Sequence, residues 1–171
     1  TCVDQNENLL QRFQSHIHKE MKVEIIHGTI ADIQDRRLSV PSFNKIIGFY
    51  ILHHITNLSK FCQEIKAVLT PEGQCAFIEP NPFNPMFYIQ LFFERDMTWA
   101  SEKGILRMRR GFLERVFTAQ GFSVEQLVNF GLLPPVLMNT RAGQLTEKLT
   151  AAMPIPCRPY VLVSAKRERR V

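Results

Sequence analysis

Two adjacent histidines, His53 and His54, close an almost unbroken apolar run in the stretch "GFYILHHI". Imidazole titrates near neutral pH, so one of the pair could act as a general base in catalysis. Adjacent side chains on a strand face opposite directions, so we expect at most one of them to reach a substrate. Packing or capping roles for both are the alternative. No third ligand lies near them in the sequence, so the pattern predicts no metal site.

Glu79 and a phenylalanine-rich stretch supply candidates for substrate binding. Glu79 ends the strand pattern "QCAFIEP" and could bind substrate or orient a base, whereas a solvated strand-end carboxylate is the alternative. Phe83 and Phe87 belong to "NPFNPMFYIQLFFERDMTW", whose prolines stiffen its entry. This stretch predicts a lid or substrate cap over residues 81–110. A stripe of Phe is nevertheless more often part of a core.

Short apolar runs alternate along the chain with segments of helical periodicity, which predicts a single α/β domain spanning residues 1–171. We expect a mainly parallel, doubly wound sheet with helices on both faces. "FNKIIGFYIL" is apolar throughout, as is typical of a strand covered on both sides. In such sheets ligands bind beyond the carboxyl ends of the strands, which here are Asp4, Gly28–Thr29 and the stretch Gly48–His54.

Composition and charge exclude several classes of function. The net charge of +5 comes largely from "RMRR" and "KRERR", and no aromatic residues interleave with them, so nucleic acid is not predicted as a partner. The four cysteines are scattered without a CxxC pair, which favours reduced thiols and a cytoplasmic location. No apolar run is long enough to span a membrane, and "TCVDQNEN" does not have the pattern of a signal peptide.

Four pieces of the sequence, in this order, resemble the class I S-adenosylmethionine-dependent methyltransferases of the small-molecule branch. They are Asp4 closing a strand before a helix, "HGTIADI", "FNKIIGFYILHHI" and "VLTPEGQCAFIEPNP". "FLERVFTAQGF" and the strand after it resemble the family's closing antiparallel hairpin. The resemblance covers nearly the whole chain and implies a Rossmann-like methyltransferase fold with an antiparallel C-terminal hairpin.

The resemblance also implies a function and a set of binding residues. The implied enzyme uses S-adenosyl-L-methionine to methylate a small, lipophilic acceptor. Because the sulfonium already activates the methyl group, such a protein mainly aligns the acceptor and excludes water. A carboxylate would bind the ribose diol of the cofactor. A strand-to-loop turn would contact its adenine, and a Gly–Phe pair would contact its methionine end. The implied residues are Asp4, then Gly28, Thr29 and Ile30, then Gly48 and Phe49.

The alternatives to these assignments are structural. Asp4 could instead cap the helix that follows it, and Gly28–Thr29 could be an ordinary turn.

The sequence departs from the family pattern at its beginning and at two positions. Only three residues precede Asp4, too few for the family's first strand and Gly-rich turn. We therefore expect an N-terminally incomplete methyltransferase fold, whether the sequence is a truncated piece or a natural short form. An open sheet edge invites association, which makes a homodimer a candidate partner beside the small-molecule substrate. Asn44 and Thr29 stand where the family usually has acidic residues. These departures motivate the alternative function, a non-catalytic binding or scaffold module derived from the methyltransferase fold.

Overall fold

A computed structural model describes residues 1–18, 21–30, 43–94, 97–131 and 153–168. The strands in these ranges are β1 (Cys2–Asp4), β2 (Ile25–His27), β3 (Phe43–Phe49), β4 (Leu69–Pro80), β5 (Phe122–Phe130) and β6 (Tyr160–Arg167). The α-helices are α1 (Glu7–His16), α2 (Leu58–Val68), α3 (Pro85–Phe93), α4 (Trp99–Glu102) and α5 (Arg110–Ala119). Short 3-10 helices cover Lys103–Arg107 and Ile155–Cys157. Within the described ranges, no helix combines the length and apolar character needed to cross a membrane.

The strands form two sheets, of which the larger is mixed in direction. One has the order β3-β4-β6-β5, and the other contains only β1 and β2. The pairs β1–β2 and β3–β4 are parallel, whereas β6 runs antiparallel to both of its neighbours. The α/β class and the antiparallel pairing of β5 with β6 therefore agree with the sequence, but the four-stranded sheet is mixed rather than mainly parallel. Much of the polar connection between β2 and β3, residues 31–42, lies outside the described residues.

Helices α2 and α5 cover the four-stranded sheet and build the main core. The predicted apolar face of α2 is buried, and Asn57 caps this helix by accepting a hydrogen bond from the backbone N–H of Lys60. Leu113 and Phe117 of α5 are fully buried, and the Phe117 ring contacts those of Phe77 and Phe122. Each such side chain contributes about 2 kcal/mol of hydrophobic stabilisation. The core therefore fixes β4, and with it the position of the carboxyl end of that strand.

Strand β3 is less covered than its apolar sequence predicts. Phe43 and Ile46 pack inward, but Ile47 and Phe49 are more than half exposed. The strand ends at Phe49 because Tyr50 adopts a φ of +53°, a left-handed conformation that breaks the ladder. Among the described residues β1 pairs only with β2, and β3 only with β4, so each leaves one edge unpaired. The expectation of a strand covered on both faces is wrong, because the face that carries Ile47 and Phe49 is exposed.

Helix α1 is shorter than the periodicity of the sequence suggests. Asn6 caps its first turn by accepting hydrogen bonds from the backbone N–H groups of Asn8 and Leu9. Leu10 is its single buried residue, whereas Leu9 and Phe13 are exposed. Val3 of β1 and Ile26 of β2 pack with residues of β3, so the small sheet contacts the large one through apolar side chains.

Candidate functional site

Glu79 organises the turn that follows β3. Because β3 and β4 are parallel, with Phe49 opposite Ile78, their carboxyl ends lie side by side. The Glu79 side chain has no exposed surface. Its Oε1 accepts hydrogen bonds from the backbone N–H groups of Ile51 and Leu52, each at 2.8 Å. The solvated strand-end carboxylate considered from the sequence is therefore excluded, and Glu79 instead holds a buried turn in place.

His53 lies between two carboxylates. Its Nδ1 is 2.6 Å from Glu79 Oε2, and its Nε2 is 3.1 Å from Glu102 Oε2. His53 is 3% exposed and Glu102 is 7% exposed, so water screens these contacts little. A charged group that is buried away from water is stable only when it is paired with another group. Glu79 thus holds the ring of His53 in place. Its binding of substrate, and the action of His53 as a base, stay predictions.

Two tight contacts bring Glu102 to His53. A Cβ atom added at Gly104 would lie 1.7 Å from the backbone carbonyl oxygen of His53, so only glycine permits this approach. The Arg107 guanidinium donates hydrogen bonds to the carbonyl oxygens of Ile55 and Thr56 at 2.8 and 2.9 Å. Nothing in the sequence distinguishes Glu102 from a solvated helix residue, and the pairing exists only because the 3-10 helix docks on this turn.

His54 differs from His53 in being exposed. The two imidazole rings lie together, with centroids 3.9 Å apart and planes tilted by 44°. The prediction that they face different directions is wrong, because both residues lie in a turn rather than on a strand. Of the pair, only His54 presents its ring to solvent.

Asp4 and Gly28 lie together at the carboxyl ends of β1 and β2. The Gly28 N–H donates to the Asp4 carbonyl oxygen at 3.0 Å, and Gly28 has a φ of +153°, which favours glycine. Asp4 Oδ1 accepts a hydrogen bond from the Asn6 N–H at 2.7 Å. The N-cap of α1 is Asn6, so the alternative role of Asp4 as the cap is excluded. Thr29 and Ile30 follow directly, and Ile30 packs against the main core.

Gly48 and Phe49 lie at the end of β3, beside the Glu79 turn. A Cβ at Gly48 would come within 2.6 Å of the Phe77 ring, so the glycine makes room for a core side chain. Phe49 points outward and is 62% exposed. Tyr50 packs its ring on Tyr160, with centroids 6.1 Å apart. Burial raises the pKa of the Tyr50 hydroxyl, and a hydrogen bond with Tyr160 raises it further, so the hydroxyl stays neutral.

Helix α3 is held by the residues that precede it and has no buried residue of its own. Before it, the buried Asn81 donates hydrogen bonds to the carbonyl oxygens of Ile155 and Arg158, and Asn84 caps the helix. Phe83 is half exposed beneath the Arg109 guanidinium, and Phe87 is half-buried. The phenylalanine stripe is therefore not core. Other exposed apolar residues of this segment are Met86, Ile89, Phe92, Phe93 and Trp99.

Comparison with known proteins gives these sites a family context. Residues 1–77 match a family model described as a methyltransferase domain. An S-adenosylmethionine-dependent methyltransferase from Archaeoglobus fulgidus is 12% identical with a TM-score of 0.63, over 96% of this chain and 74% of that one. A second such methyltransferase, from Mesorhizobium loti, is 14% identical with a TM-score of 0.59, over 96% of this chain and 78% of that one. A search of curated proteins found no match.

The first 77 residues therefore resemble a methyltransferase domain, and the fold of the chain is like that of solved S-adenosylmethionine-dependent methyltransferases. A third likeness, to a methyltransferase from Methanosarcina mazei, has a TM-score of 0.57 at 13% identity and covers 98% of this chain and 81% of that one. The resemblance drawn from the sequence is thereby confirmed. The match to the methyltransferase family ends at Phe77, so Glu79 and Glu102, the two partners of His53, lie beyond the matched residues.

Proposed function

We propose that this protein binds S-adenosyl-L-methionine and transfers its methyl group to a small, lipophilic acceptor. The observation that carries the proposal is the family match over residues 1–77, which include Asp4, Gly28 and Gly48, together with the shared fold. When bound, the cofactor supplies an activated methyl group, so the protein needs mainly to position the acceptor and exclude water.

Residues at the carboxyl ends of β1 and β2 fit the nucleoside half of the cofactor. Asp4 Oδ1 accepts a hydrogen bond from the Asn6 N–H, and the other carboxylate oxygen of Asp4 has no partner among the described residues. A carboxylate with a free oxygen can accept a ribose hydroxyl. Gly28 lets the backbone approach a ligand closely, and Thr29 and Ile30 would form the adenine edge.

The end of β3 fits the methionine half and the reacting centre. The ring of Phe49 is exposed beside the half-buried backbone of Gly48, so this pair can contact the methionine end of the cofactor. His54 is the exposed imidazole next to that surface and is our candidate for the general base. His53 has both ring nitrogens occupied, so we assign it and Glu79 to positioning His54 and the turn rather than to substrate contact.

The segment 81–110 is our candidate for the acceptor surface. Helix α3 exposes apolar side chains along its length, and Phe92 is 85% exposed. Exposed apolar patches of this kind mark binding surfaces for apolar partners. Phe83 and Phe87, at the attached start of the segment, would contact the acceptor nearest the cofactor. These features favour a lipophilic acceptor.

Calorimetric titration of the protein with S-adenosylhomocysteine tests the proposal. We expect one-to-one binding, and we expect Asp4→Ala to weaken it by about 10- to 100-fold, as loss of a hydrogen bond to a charged group would. Glu7→Ala, an exposed carboxylate in the first turn of α1, is the matched control and should leave affinity unchanged. Absence of binding by the folded protein, or equal losses in both variants, would contradict the proposal.

A further inference from the structure

The contact between His53 Nε2 and Glu102 Oε2 needs a positive charge to hold it together. The 2.6 Å contact with Glu79 places the ring proton on Nδ1, because a carboxylate only accepts. In the neutral ring, Nε2 then carries a lone pair that faces another carboxylate at 3.1 Å. Two buried acceptors repel each other at this distance unless a cation lies between them or beside them.

We propose that His53, His54 and Glu102 bind one divalent transition-metal ion, with Zn²⁺ the best fit. One ligand atom from each of these residues can be chosen so that all three lie within 4.8 Å of one another. Zn²⁺ binds imidazole nitrogen and carboxylate oxygen at about 2.0–2.2 Å, which at a tetrahedral angle places neighbouring ligand atoms about 3.3–3.6 Å apart. The 3.1 Å between His53 Nε2 and Glu102 Oε2 is close to that separation. Two nitrogens and one oxygen suit Zn²⁺ better than Mg²⁺ or Ca²⁺, which prefer all-oxygen sites.

The surroundings of the cluster match those of metal-bound histidine. A histidine ligand commonly donates its other ring N–H to a carboxylate, which fixes the tautomer, and Glu79 accepts from His53 Nδ1 in this way. Two buried carboxylates face the single ring of His53, and a divalent ion supplies the charge that ionised carboxylates need when they are buried. Arg107 donates to backbone carbonyls rather than to either carboxylate. His54 is exposed, so an ion can enter from its side and a fourth position stays open.

This metal site does not rest on the proposed methyl transfer, and it would replace the general-base role of His54, because a ring nitrogen bound to the ion cannot accept a proton. Its test uses no activity measurement. Protein freed of metal by chelation is titrated with Zn²⁺ by calorimetry and with Co²⁺ by visible absorption. We expect one ion per chain, a Co²⁺ spectrum of nitrogen and oxygen ligands, and a rise in melting temperature with metal concentration.

The variants Glu102→Gln and Glu79→Gln distinguish a metal ion bound between His53 and Glu102 from a proton at the same place. In Glu102→Gln the new side-chain amide can donate to His53 Nε2, so the fold is retained while the anionic ligand is lost. In Glu79→Gln the new amide can donate to Nδ1, which moves the ring proton to Nε2 and removes the lone pair that binds metal. Both changes should weaken metal binding at least about tenfold. His16→Gln, in the last turn of α1, removes a distant histidine as the control and should change nothing.

Three results would overturn the metal site. The first is no binding by the unmodified protein, and the second is unchanged affinity in both glutamine variants, which would leave a proton alone between His53 and Glu102. The third is a thiolate charge-transfer band in the Co²⁺ spectrum, which would place the ion at cysteine. Far-UV circular dichroism of each variant shows that the fold is retained.

Discussion

His53 Nδ1 and Glu79 Oε2 lie 2.6 Å apart with both side chains removed from solvent, and this contact joins the end of β4 to the turn after β3. The same carboxylate also holds the backbone of Ile51 and Leu52. The His53 backbone N–H also donates to Oε2, at 3.4 Å, so one side chain accepts from four neighbouring donors. The shape of the turn, and the positions of His53 and His54 on it, depend on Glu79.

Replacing Glu79 with alanine should lower the free energy of unfolding by about 3–5 kcal/mol, because it leaves buried donors without an acceptor. Glu79→Gln keeps one acceptor oxygen for the Ile51 and Leu52 N–H groups and should lose less. Urea denaturation followed by circular dichroism measures both. Glu114→Ala, at an exposed position of α5, is the control and should stay within about 0.5 kcal/mol of the unmodified protein. Equal stabilities for Glu79→Ala and Glu114→Ala would show that Glu79 does not hold the turn.

Gly104→Ala should destabilise the protein and separate Glu102 from His53. The new Cβ would overlap the His53 carbonyl oxygen, a backbone atom that cannot move without shifting the turn. Gly111→Ala provides the matched control, since nothing lies within 4 Å of its Cβ position and alanine is the better helix former in α5. Thermal melts should therefore show a lower melting temperature for Gly104→Ala and an equal or higher one for Gly111→Ala. A tolerated Gly104→Ala would mean that the 3-10 helix is not docked on the turn.

The buried thiols Cys62 and Cys75 should resist alkylation at neutral pH while the exposed Cys157 reacts. Burial raises the pKa of Cys62 and of Cys75 from 9.0 to about 12, and the thiolate is the reactive form. Mass spectrometry after timed exposure to iodoacetamide identifies the labelled residues. Fast labelling of Cys62 at pH 7 would contradict its placement in the core.

The same two thiols make stability depend on alkaline pH. Their pKa values are higher in the folded than in the unfolded protein, so the unfolded chain binds fewer protons above pH 9. Their contribution to stability is complete below pH 9 and decreases as the pH rises from 9 towards 12. The urea midpoint should fall over that range, and it should fall less in Cys62→Ala once the change at neutral pH is subtracted.

Phe92→Ser and Phe93→Ser should leave the stability of the domain within about 0.5 kcal/mol, because both rings are exposed on α3. Phe117→Ser, in the core, should cost about 3–5 kcal/mol by the same measurement. If α3 is a surface for apolar ligands, the two α3 variants should also reduce the fluorescence of a bound apolar dye, whereas an exposed change elsewhere, such as Glu114→Ala, should not. A large loss of stability in either α3 variant would mean that this helix packs against the domain.

Much of the fold could be predicted from the sequence because it depends on local patterns. The apolar runs "FNKIIGFYIL" and "QCAFIEP" predicted strands where β3 and β4 lie, and "FLERVFTAQGF" marked the segment of α5 that precedes the antiparallel pair of β5 and β6. The ends of other elements were less predictable. Helix α1 stops at His16 although the periodicity continues, since apolar residues without a partner surface do not extend a short helix.

The sequence by itself indicated the likeness to methyltransferases, the α/β class, and the candidate roles of Asp4, Gly28 and the paired histidines. Tertiary structure alone decided that Glu102 meets His53 and that Glu79 is buried, because contacts between residues far apart in the chain depend on how helices dock. It also decided that the phenylalanines of α3 face solvent, since an apolar residue is buried only where another surface lies against it.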